Sequence, residues 1–184
     1  LRINQVVVIP EYDVKHMGRY QRNYSEHDII DRYVSTLCEF LDHDNISFKL
    51  STKNAVCDPN SLILFCRSGL SEERARRTNF SIISHIGSKS KKISDFAIET
   101  VSEWGKCYVD TQHITRGRQL DENPIEAFGS PDTMGIVIDP FILEGPNHDD
   151  YIKRLPKLGE MLALCVFEFM LSRQEQPQIM RINS

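Results

Sequence analysis

Three short stretches of this chain are apolar at every position, and they constrain its fold more than any other feature. They are Val6-Val7-Val8-Ile9, Leu62-Ile63-Leu64-Phe65-Cys66 and Ile136-Val137-Ile138. A strand with one wet face alternates apolar and polar residues, whereas a strand that is apolar throughout must be covered on both faces. Each run stops abruptly, at Pro10, at Arg67-Ser68-Gly69 and at Asp139-Pro140. Short runs of this kind, bounded by turn residues, read as buried strands of a largely parallel sheet.

The segments between them read mainly as helices. Ser25 and Asp28 have capping-box spacing. Ile29, Ile30, Tyr33, Val34, Leu37, Cys38 and Leu41 then form one helical stripe, broken at His43 to Asn45. Ile46, Phe48 and Leu50 alternate as a strand would, and Asp58-Pro59-Asn60 makes a turn. Phe80 to His85 is another short apolar run, stopped by Gly87. Ser88 can cap a helix from Lys89 to Trp104 that buries Ile93, Phe96, Ala97, Val101 and Trp104. Residues 106–133 are mixed and rich in turn formers. Beyond the turn Glu144-Gly145-Pro146-Asn147, a last helix from Asp149 to Ser172 carries Ile152, Leu155, Leu158, Leu162, Cys165, Val166 and Phe169 on one stripe.

Alternating strands and helices predict one α/β domain over residues 1–173, with residues 174–184 as a tail. The expected architecture is a twisted, mainly parallel or mixed sheet with helices on both faces. Parallel strands would bring the ends at Pro10, Cys66 and Asp139 to one carboxyl edge, where ligands of open α/β sheets bind.

Composition removes several function classes. The net charge of −4 supplies no basic field for nucleic acid. The clusters Arg74, Arg76, Arg77 and Lys89, Lys91, Lys92 read as solvated faces. Five cysteines, an odd number with no CxxC, argue for reduced thiols rather than a disulfide framework or zinc ribbon. The longest apolar run, Met161 to Val166, is too short to span a bilayer. Leu1 to Pro10 lacks the shape of a signal peptide. Cytoplasmic synthesis is therefore expected; delivery to a cell envelope or into a phage particle would need a route not written in these residues.

The order of segments resembles the zinc-dependent N-acetylmuramoyl-L-alanine amidases, which cut the bond between the glycan and the stem peptide of peptidoglycan. Val6-Val7-Val8-Ile9-Pro10 resembles the family's first strand, which leads into its first zinc-ligating His. Ser25-Glu26-His27-Asp28-Ile29 is similar to the helix start that carries the Glu ligand. Leu62 to Ser68 is similar to the strand of the third ligand. Ile136-Val137-Ile138-Asp139-Pro140-Phe141 is similar to the strand of the catalytic Glu, and Pro146-Asn147-His148-Asp149-Asp150 to the turn into the last helix.

The departures fall on the chemistry. The resemblance puts Tyr12 at the first His, Cys66 at the third ligand and Asp139 at the catalytic Glu; Glu26 alone keeps the family's residue. Catalytic zinc generally takes three protein ligands and leaves one position for water. Without the metal, water keeps a pKa of about 15.7 instead of about 7. The resemblance thus implies an amidase-like domain that holds no zinc, has reduced or lost hydrolase activity, and binds peptidoglycan or a protein assembly. The alternative is an active zinc amidase with a shifted set, His16 and Glu26 with Cys66 or Asp13, and Asp139 as base. Tyr12, Arg67 and Arg116 would then line the substrate. A metal-free hydrolase with Cys66 as nucleophile would need a histidine within reach of the thiol. Each residue also has a plainer reading. Glu26 suits a helix first turn, Cys66 is a small hydrophobe, Asp139 starts a turn and His16 is a loop histidine.

Overall fold

The computed structural model describes residues 3–11, 20–21, 24–52, 57–67, 83–86, 90–106, 118–119, 134–138, 140 and 148–174. The three apolar runs are strands, as their composition requires. They are β1 (Gln5–Pro10), β5 (Ser61–Cys66) and β8 (Met134–Ile138). With β4 (Phe48–Leu50), β6 (Ile83–Ile86) and β7 (Arg118–Gln119) they form a six-stranded sheet among the described residues, in the order β4-β1-β5-β8-β6-β7. The first four are mutually parallel; β6 runs antiparallel to β8, and β7 parallel to β6. The sheet is therefore mixed and mainly parallel. A two-residue pair, β2 (Tyr20–Gln21) and β3 (Tyr24–Ser25), stands apart from it.

Helix α1 (Glu26–His43) begins where the capping box predicts. The Ser25 hydroxyl accepts from the Asp28 N–H at 3.1 Å, and the Asp28 carboxylate accepts from the Ser25 N–H at 2.9 Å. It ends at the predicted break. Asn45 takes φ 56°, and Asn45 and Ile46 donate back to the carbonyls of Asp42 and Leu41. This is a Schellman closure with asparagine in the left-handed position that glycine more often fills. Helices α2 (Lys91–Lys106) and α3 (His148–Gln174) are the other two predicted helices, shifted by about two residues at their ends.

The parity of the strands separates two cores. Val6, Val8, Leu62, Leu64, Cys66, Ile136 and Ile138 face one way, and all three described helices pack there. At the crossing of α1 and α3, Gly159 lies directly on the backbone of Tyr33 and Leu37. Val7, Ile9, Ile63, Phe65 and Val137 face the other way and are also dry, with Cys57 beside them. Helices were expected on both faces; among the described residues none covers this second face. The strand expected over Phe80–His85 is found at Ile83–Ile86; its reversed direction has no counterpart in the local pattern, because neighbours in the sheet set direction. No helix among the described residues is long and apolar enough to cross a membrane.

Candidate functional site

The tips of β1, β5 and β8 are level. Pro10 pairs with Cys66, and Cys66 with Ile138. The ladder continues one residue further on two of them: Glu11 N–H donates to the Cys66 carbonyl and Arg67 N–H to the Ile138 carbonyl, both at 2.8 Å. The carboxyl edge is thus a flush row in the middle of the sheet. Helix α1 returns against β1, so its first residue, Glu26, stands at this same edge, half-buried at the positive end of the helix dipole.

Tyr33 closes the α1 side of the row. It is fully buried, and its hydroxyl donates to the Arg67 carbonyl at 2.6 Å. An aromatic side chain with a polar tip, set in an apolar stripe, has to find such a partner. That requirement was the one signal in the sequence pointing to Tyr33.

Cys66 is sealed beneath it. The residue has no exposed surface, and its thiol makes a long contact, 3.8 Å, to the Leu64 carbonyl. Burial pushes the thiol far above its ordinary range; the nearby Tyr33 hydroxyl opposes this weakly and Cys38 adds to it. Thiolate, not thiol, is the nucleophile and the metal ligand. As placed, Cys66 offers neither, and with Glu26 it makes a poor pair of zinc donors.

Arg67 projects to the opposite face. Its Nε donates to the Glu11 carboxylate, and its guanidinium carbon stands 6.0 Å from the centre of the Phe65 ring. Successive strand residues point to opposite faces, so Cys66 and Arg67 cannot aim at one point. Glu11 was not singled out in the sequence; it follows Pro10 directly and is the counter-ion of Arg67. Among the described residues no group of three His, Cys, Asp or Glu side chains is placed to share a metal ion. Tyr12, Asp13, His16, Arg116 and Asp139 lie outside the described residues. A cleft between Ile3, Ile46, Phe167 and Leu171 opens at the amino edge, away from the strand tips.

With this geometry in view, several solved structures similar to the chain share one function class. It is similar to the N-acetylmuramoyl-L-alanine amidase AmiC2 of Nostoc punctiforme, with TM-score 0.61 and 11% identity over 91% of this chain and 97% of that one. A Neisseria meningitidis protein assigned to the same class aligns with TM-score 0.63 and 10% identity over 91% and 96% of the two chains. The CwlD amidase of Clostridioides difficile, solved in complex with the GerS lipoprotein, aligns with TM-score 0.50 and 12% identity over 92% and 100%. The chain has the amidase fold. No family model matches the sequence, and no curated protein matches it. At such identities what is shared is the fold, and the amidase fold supplies the carboxyl edge on which a site is to be sought.

Proposed function

We propose that this chain is an N-acetylmuramoyl-L-alanine amidase-like domain that has kept the scaffold and lost most or all of the hydrolase activity. Its role is then to bind peptidoglycan or to serve in a protein assembly of the cell envelope or a phage particle. The observation that carries this reading is Cys66. It occupies the strand tip where the resemblance places a zinc ligand, and it is wholly buried, in surroundings that disfavour its thiolate. A metal there would have to displace the thiol proton and open the contact with Tyr33. The CwlD amidase, solved in complex with a lipoprotein, supports the idea that this fold can assemble with a protein partner. Incubation of the purified chain with peptidoglycan sacculi tests the proposal. Co-sedimentation without release of free stem peptide is the expected result.

One observation favours a second reading, an active zinc amidase. Glu26 stands at the same edge as Cys66, and the Cys66 side chain points to the face that α1 covers. His16 and Glu26, with Cys66 or Asp13, would then hold zinc, and Asp139 would be the base. Asp is one methylene shorter than Glu, and a general base must come within roughly 2.6–3.2 Å of its proton. Zinc-dependent release of stem peptide, lost in a His16→Ala variant, would establish this second reading and displace the first.

A further inference from the structure

Arg67 is fixed on several sides and open on one. Its Nε–H is taken by the Glu11 carboxylate. Its guanidinium carbon stands over the Phe65 ring, 6.0 Å from the ring centre, at the outer limit of cation–π contact. Its backbone is pinned twice, by the N–H that donates to Ile138 and by the carbonyl that accepts from Tyr33. A guanidinium carries five N–H donors in a rigid fork. One is used, and the four on Nη1 and Nη2 meet no acceptor among the described residues. The side chain is only 24% exposed, and it directly follows β5, the strand flanked by the two others whose tips are level with it.

From this we infer that the Nη edge of Arg67 is a carboxylate-binding site for an acidic peptide at the carboxyl edge of the sheet. Two parallel N–H···O bonds from Nη1 and Nη2 match the two oxygens of a carboxylate end-on. Glu11 and Phe65 hold the fork in one orientation before the ligand arrives, so little side-chain freedom is lost on binding. Glu11 also cancels the charge of Arg67. A simple monovalent anion therefore gains little there, and selectivity comes from the planar two-oxygen shape. The inference deepens the proposed function, resting on its reading of this edge as the ligand-binding side, and adds the chemical group recognised.

The test is titration of the full chain with two capped dipeptides, N-acetyl-Ala-Glu-amide and N-acetyl-Ala-Gln-amide, followed by calorimetry or NMR. The acid is expected to bind about tenfold or more tightly than the amide, the size of one charge-assisted contact. Arg67→Lys keeps the charge but not the fork, and should remove that preference. Glu11→Gln takes away the competing carboxylate and should tighten binding of the acid. Equal binding of acid and amide, no binding of either, or a preference untouched by Arg67→Lys overturns the inference. Should Arg67→Lys fail to fold, Glu11→Gln decides, and unchanged or weaker binding of the acid overturns it. Sacculi bound as well by Arg67→Lys as by the parent chain would leave the peptidoglycan reading standing and refute the role of Arg67. Sacculi ignored by a parent chain that still prefers the acid dipeptide through Arg67 would do the reverse.

Discussion

Gly159 of α3 rests on the Tyr33 backbone of α1 so closely that a Cβ at Gly159 would stand 2.1 Å from the Tyr33 carbonyl oxygen and 2.9 Å from the Leu37 nitrogen. These obstacles are backbone atoms, which cannot turn aside as a side chain can. Gly159→Ala should therefore destabilise the protein by about 1–3 kcal/mol, the usual cost of overpacking, and more if the helices cannot part. Helix propensity alone would favour alanine by about 1 kcal/mol. Urea unfolding of the variant separates the two, since a gain in stability would mean that α1 and α3 do not meet at this point.

The start of α1 depends on Ser25 and Asp28. Ser25→Ala should cost about 1 kcal/mol in chemical unfolding. The Ser25 backbone and hydroxyl bonds hold the Asp28 carboxyl below its ordinary value of 3.8. A depressed folded pKa means that the stabilisation is complete above about pH 4 and fades as pH falls through 3.8 towards the lower folded value. An Asp28→Asn variant should lose this part of the acid dependence; an unchanged slope of stability between pH 5 and pH 2.5 would show that the box is not formed.

His85, on β6, gives a second pH dependence of the same sense in a higher pH window. Its ring is buried on the helix side of the sheet, with no partner for Nδ1 among the described residues. Burial depresses its affinity for a proton below the ordinary 6.5, aided by Lys91 and opposed by Asp95. The neutral ring is the form that fits, so stability should be full above about pH 6.5 and decline as pH falls through 6.5 towards the lower folded pKa. His85→Leu should flatten the curve over pH 7.5 to 5.5, and a curve of the same slope in that variant would contradict the placement.

The strands β1, β5 and β8 were legible because each is apolar on both faces, a pattern few other structures tolerate. Helix α1 was legible from both ends, since Ser25, Asp28 and Asn45 each have a local reason to stand where they do. Parallel strands led to a row at Pro10, Cys66 and Asp139; Pro10, Cys66 and Ile138 are level, and Asp139 lies outside the described residues. The surroundings of the site were not legible. That Tyr33 would cover Cys66, and that Glu11 would claim Arg67, depends on contacts 34 and 56 residues apart along the chain. No periodicity encodes such distances.

Cys66 should behave as a core residue towards reagents. Its alkylation in the native state should be no faster than the opening of the domain itself, because the thiol is sealed and protonated. Tyr33→Phe removes the hydroxyl that bonds Arg67, at a cost of about 1–2 kcal/mol, and should raise that alkylation rate in step with the lost stability. Mass spectrometry of labelled peptides after timed exposure to iodoacetamide reads this directly. Rapid modification of Cys66 in the folded chain would mean that the strand tip is open.

The most direct test of the lost-metal reading is zinc content, measured by elemental analysis on chain purified without chelators and dialysed against metal-free buffer. The proposed function predicts far less than one zinc per chain, with no change on replacing Glu26 by alanine or Cys66 by serine. One zinc per chain, released by either substitution, would show a working metal centre at the carboxyl edge and contradict it.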